Sequence, residues 1–105
     1  MILANMAYDA EGKFAAFTVK SHGDSYVCGG VSMLVLNTVN SIESLTSQPF
    51  DCDYDENGGY IKFAVKGHRE SGAGLLLDAM LLGLKSVQGQ YPSEISITEI
   101  NRKEM

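Results

Sequence analysis

The sequence predicts an α+β fold: ββαββαβ, a two-layer sandwich with two helices packed on one face of a mixed or antiparallel sheet. Three observations lead there. Two pairs of β-rich runs are each joined by a turn-forming segment, each pair is followed by a longer stretch of helical character, and a run of alternating isoleucines comes last. With 105 residues, 45% hydrophobic and 20% charged, residues 1–105 read as one ordered domain with one modest core.

Residues Ile2–Tyr8 and Phe14–Lys20 flank Asp9-Ala10-Glu11-Gly12-Lys13, whose Asp, Gly and small residues predict a β-hairpin. The second run carries an aromatic on each face, Phe14 on one and Phe17 on the other, so alternation alone leaves its inward side open. Over residues 28–47 the period changes. Val31, Val35, Val39, Ile42 and Leu45 recur three or four apart, with Leu34 and Thr38 beside them, which predicts an amphipathic helix that Pro49 prevents from continuing. Its β-branched residues lower helix propensity, so packing on a sheet has to supply most of its stability.

Phe50–Tyr54 and Tyr60–Val65 bracket Asp55-Glu56-Asn57-Gly58-Gly59, and Asn-Gly between β-rich runs predicts a second hairpin. A loop over 66–74 leads to a leucine-rich stretch, 75–87, that predicts a largely buried helix. Beyond Pro92, Ile95, Ile97 and residues 98–100 predict a last strand. The leucines of the second helix exceed what one small sheet covers, which predicts a homodimer.

Composition narrows the function. Thirteen acidic against eight basic residues give a net charge of -5, with no cluster of Lys and Arg, which disfavours direct nucleic-acid binding and favours a basic polypeptide partner. No apolar run approaches the roughly 18 residues of a membrane span, and the first residues lack the pattern of a secretory signal. A cytoplasmic protein is expected, with no membrane association and with Cys28 and Cys52 as thiols. There is no Cys-x-x-Cys, no phosphate-binding glycine loop and no dinucleotide fingerprint. Asp51, Asp53 and Asp55 alternate like the start of a calcium loop, but the glycine is not at the sixth place and Lys62 stands at the twelfth, so they read as a solvated strand face. No metal or cofactor is expected.

The chemistry concentrates in Ser21-His22-Gly23-Asp24-Ser25-Tyr26-Val27-Cys28-Gly29-Gly30. Cys28 falls where a loop enters a helix, and the unpaired N–H groups and dipole of a helix N-terminus favour the nucleophilic thiolate. His22, with five residues between it and Cys28, can fold back as general base. Gly29 and Gly30 would let a substrate backbone or an oxyanion approach the N–H groups. A lone cysteine at a helix start is also an ordinary small apolar residue, and that alternative stays open on spacing alone. Cys52, between two acidic residues, is a poor nucleophile. His68 reads as an exposed loop residue.

At these residues the chain resembles the Prp family of ribosomal-processing cysteine proteases. His22-Gly23 matches the family's histidine at the end of a strand, and Tyr26-Val27-Cys28-Gly29-Gly30-Val31-Ser32 resembles its cysteine segment. Val39-Asn40-Ser41-Ile42-Glu43 and residues 55–62 resemble later family segments, and the order of elements fits nearly the whole chain. The chain departs from the family in its shorter His22-to-Cys28 loop, in glycines where alanines follow the cysteine, and in Ser25 where the family has aspartate, with Asp24 one place earlier.

The resemblance implies His22 as base, Cys28 as nucleophile, Ser32 as a supporting polar group, and Asp24 orienting His22 or holding a basic substrate. It also implies a substrate, the N-terminal extension of large-subunit ribosomal protein twenty-seven. The alternative is a non-catalytic protein-binding or ribosome-assembly module with the same fold.

Overall fold

The structure, a computed structural model, describes residues 1–20, 26–55 and 59–104. Five strands and two helices follow the expected order: β1 (Ile2–Tyr8), β2 (Phe14–Lys20), α1 (Tyr26–Leu45), β3 (Phe50–Tyr54), β4 (Tyr60–Val65), α2 (Ser71–Gln90) and β5 (Ile95–Asn101), then a 3-10 turn at Arg102–Glu104. The sheet is mixed, in the order β3-β4-β2-β1-β5. All pairs are antiparallel except β1 with β5.

The first hairpin is locked by Asp9, whose Oδ1 accepts from the N–H groups of Glu11 and Lys13 at 2.9 and 3.0 Å. Gly12 closes the turn at φ +76°, a conformation that favours glycine. The facing of β2 is settled by a bulge. Ala7 pairs with Ala16 but Tyr8 with Phe14, so the register shifts by one and both Phe14 and Phe17 turn into the core, which a regular strand forbids. Phe17 stacks on Phe63 of β4 at 5.2 Å between centroids, and Phe63 on Phe50 of β3 at 5.0 Å.

On the helix side of the sheet, Ile2, Ala4, Met6, Phe17, Val19 and Phe63 meet Val31, Val35 and Ile42 of α1 and Leu77, Met80 and Leu84 of α2 in one core. The helices run antiparallel, with Gly72 near the start of α2 close to Thr46 beyond the end of α1. Across the outer face of the sheet, the Arg102 guanidinium donates to the carbonyl of Val65, three strands away. Ala7 and Ala16, paired and fully buried on that face, leave room for its passage.

Two expectations change. Helix α1 starts and ends two residues earlier than 28–47, because Val27 is already packed in the core and Thr46 caps the last turn through Oγ1 to the Ile42 carbonyl at 2.7 Å. Helix α2 is longer than 75–87 and only half buried: Leu75 and Leu82 are 71% and 70% exposed. Its glycine-containing first turn forms because Ala73 and Gly74 are buried, with Arg69 laid over Gly74. Buried Gln48 holds this junction together. Its Oε1 accepts from the Glu70 N–H at 2.6 Å, while Nε2 donates to the carbonyls of Pro49 and His68 at 3.0 and 3.2 Å.

Candidate active site

One end of the sheet collects the residues of interest. β2 finishes there at Lys20, flanked in register by Leu3 and Tyr60, and Lys20 Nζ lies 5.7 Å from the Tyr60 ring centre. Helix α1 starts at that end with Tyr26, and the β3–β4 hairpin turns there, Tyr54 opposite Ile61. Helix α2 finishes there as well: the ring of Tyr91, its C-terminal cap, meets Tyr26 edge-on at 6.2 Å. The hydrogen bond with Tyr91, and repulsion were both phenols ionised, hold the Tyr26 phenol above its ordinary pKa.

Cys28 is the third residue of α1, in the turn whose N–H groups have no acceptor within the helix. It is half-buried against the core and, like Cys52, is a thiol rather than half of a disulfide. Ser32 lies one turn further on the same flank, half-buried, its hydroxyl making no hydrogen bond with the described residues. Gly29 and Gly30 are exposed, and a methyl group added to either would meet nothing within 4 Å among the described residues. The packing of the described residues requires glycine at neither position. His22 and Asp24 lie outside the described residues, as does the Asn57-Gly58 turn.

The second thiol sits in a different setting. Burial first, then the charges of Asp53 and Glu43, push the Cys52 pKa up and keep it protonated, in line with its acidic sequence neighbours. Asp51 and Asp53 stand on the outer face of β3 opposite Ala64 and Lys62, with Asp51 3.1 Å from Lys66 Nζ, as a solvated strand face would place them. His68 is exposed. Among the described residues no group of three or more His, Cys, Asp or Glu could hold a metal ion, and no helix is long and apolar enough to cross a membrane.

Between α1 and β3, from about two turns beyond Cys28 onward, opens a groove of about 720 Å³, with Leu36, Val39 and Glu43 on the helix wall and Phe50, Cys52 and Tyr54 on the strand wall. Sequence reading misses this groove. It exists because β2 pairs with β4, leaving β3 at the edge, and hairpin signals do not specify that long-range pairing. The Tyr26–Tyr91 contact is likewise invisible until the helices are known to run antiparallel.

Known proteins match on sequence and on fold. A family described as cysteine protease Prp matches residues 1–96. The ribosomal processing cysteine protease Prp of Staphylococcus aureus strain Mu50 is 30% identical over 103 residues, covering 92% of this chain and 97% of that protein. A crystal structure of the S. aureus protease with a covalently linked product peptide superposes with a TM-score of 0.88 at 30% identity, over 94% of this chain and 99% of that one. A second, in complex with a substrate peptide, gives 0.87 at 28% identity with the same coverage. Since sequence and fold agree over nearly the whole length, the chain belongs to the Prp family of cysteine proteases.

Proposed function

We propose that this protein is a cysteine endopeptidase, working as a single domain in the cytoplasm without metal or cofactor. Its substrate is the basic N-terminal extension of large-subunit ribosomal protein twenty-seven, removed during ribosome maturation. The observation that carries the reading is Cys28 in the first turn of α1, beside the end of β2 that leads to His22. His22 takes the thiol proton as Cys28 Sγ attacks the scissile carbonyl, and N–H groups of the first turn receive the oxyanion. As the C–N bond breaks, His22 passes the proton to the leaving amine. Water then hydrolyses the thioester, with His22 again as base.

Asp24 orients His22, and Ser32 supports the nucleophile. Gly29 and Gly30 keep the helix start bare for a substrate backbone, which fits the space that the described residues leave at both positions. The net charge of -5 suits a basic substrate, and relatives named as ribosomal processing proteases support its class. The protein works as a homodimer that covers Leu75 and Leu82, exposed two turns apart on α2; a monomeric mass by solution scattering would exclude this. To test the activity, the extended ribosomal protein is incubated with the enzyme and the products weighed by mass spectrometry. Loss of the extension is expected, and Cys28→Ala should abolish it without altering the fold. Cleavage by that variant would overturn the mechanism.

A further inference from the structure

Among the described residues β3 is an outermost strand, and no strand pairs with its outer backbone edge. The Lys66 N–H donates to the Pro49 carbonyl at 2.9 Å and the Asp55 N–H to the Tyr60 carbonyl at 3.0 Å, so positions 49, 51, 53 and 55 are those that bond to β4. The N–H and C=O groups of Phe50, Cys52 and Tyr54 therefore point away from β4. Their side chains, opposite Val65, Phe63 and Ile61, face the helix layer and form the strand wall of the groove. One row of residues thus offers both a backbone ladder and a lined slot.

The groove lies along the flank of α1 that carries Cys28, its helix wall beginning at Leu36, two turns further on. At about 100° per residue, Ser32, Leu36 and Glu43 all fall within about 80° of Cys28 on the same flank of α1, and Glu43 stands about 22 Å further along the axis. Its charge is negative and unneutralised. Asp51 is paired with Lys66 and Asp53 stands across from Lys62, whereas Glu43 makes no ion pair with the described residues.

We propose that an extended segment of the protein substrate, contiguous with the bond that Cys28 attacks, docks in this groove as an added strand on β3. Its backbone pairs with Phe50, Cys52 and Tyr54, its inward side chains fill the slot beside Leu36 and Val39, and a Lys or Arg meets Glu43. At about 3.3 Å per residue, 22 Å places that basic residue about seven positions from the scissile bond. The inference rests on Cys28 as the nucleophile.

The test uses peptides from the cleavage region of the extended ribosomal protein, lengthened stepwise on either side of the scissile bond, with Lys about seven residues away. On one side kcat/KM rises with length until that lysine is included, then levels off. Glu43→Lys lowers kcat/KM for the long peptide about five-fold, and replacing the peptide's lysine by glutamate restores it. Cys52→Pro removes an N–H that points away from β4, leaving the β3–β4 ladder whole, and lowers the same value roughly five- to ten-fold. Binding of the series to Cys28→Ala, read by fluorescence anisotropy, follows the same order, so the groove is tested even without turnover. Affinity and kcat/KM that ignore peptide length on both sides, or that ignore both groove variants, would overturn the proposal. Cleavage by Cys28→Ala would instead overturn the nucleophile.

Discussion

Replacing Gly74 by alanine sets two physical effects against each other. Alanine is favoured over glycine inside a helix by about 1 kcal/mol, so propensity alone says the change stabilises. The new Cβ, however, would lie 2.7 Å from three atoms of the Arg69 guanidinium. That group is the far end of a long side chain, but it is pinned: Nη1 donates to the Phe14 carbonyl at 2.8 Å, and Nη1 and Nη2 donate to the two Asp78 oxygens at 3.0 Å each.

The bond to Phe14 comes from a charged donor with only 13% of its side chain exposed, and losing it costs about 1.5–3 kcal/mol. The ion pair adds about 0.5 kcal/mol, because the Asp78 side chain is 54% exposed. Set against the helical gain, Gly74→Ala should destabilise by about 1–2.5 kcal/mol, a fall in Tm of roughly 5–10 °C for a domain of this size. Urea and thermal unfolding measure it directly. In an Arg69→Met background the same substitution should turn stabilising, since nothing is left to displace. A rise in stability on Gly74→Ala in the intact protein would refute the reasoning.

Two glycines give the opposite sign: Gly29→Ala and Gly30→Ala meet nothing within 4 Å among the described residues and should each stabilise by up to about 1 kcal/mol, read as a higher urea midpoint. Gln48→Leu strands the Glu70 N–H and removes the donor to the His68 carbonyl, so unfolding should show a loss of about 2–4 kcal/mol, and an unchanged midpoint would contradict the bridging role. The hydrogen bond from Lys85 Nζ, at 2.9 Å, holds the Glu99 carboxyl below its ordinary 4.5. Its small stabilising contribution is therefore full above about pH 4.5 and fades as pH falls through the folded value. Glu99→Gln should flatten that part of the stability–pH curve, and an identical acid limb in wild type and variant would exclude the effect.

How much of this was legible beforehand depended on the range of the interactions. Element order and type followed from local signals: the Asp9–Lys13 turn, the valine period of α1, the Asn-Gly between β3 and β4. The position of Cys28 in the first turn of a helix was legible too, because both glycines and the change of period announce a loop-to-helix junction. What failed was non-local. Phe14 and Phe17, three residues apart, share the core only through the bulge opposite Ala7 and Tyr8. Residues 71–74, Ser-Gly-Ala-Gly, have poor helix propensity and read as loop, yet burial of Ala73 and Gly74 against Arg69 makes them helical. The leucines of 75–87 suggested a buried helix because density was read without phase; Leu75 and Leu82, seven apart, share the outward side. The groove between α1 and β3 depends on β3 being an edge strand, which a fifth strand pairing with β1 on the far side helps to decide.

The most direct test of the mechanism is capture of the acyl-enzyme. Enzyme and extended ribosomal protein are mixed, quenched in acid within one turnover, and digested for peptide mapping by mass spectrometry. The mechanism requires the N-terminal extension, less one water, attached to the peptide containing Cys28, and no such adduct on Cys52. Turnover with the adduct on Cys52, or undiminished turnover by Cys28→Ala, would contradict it.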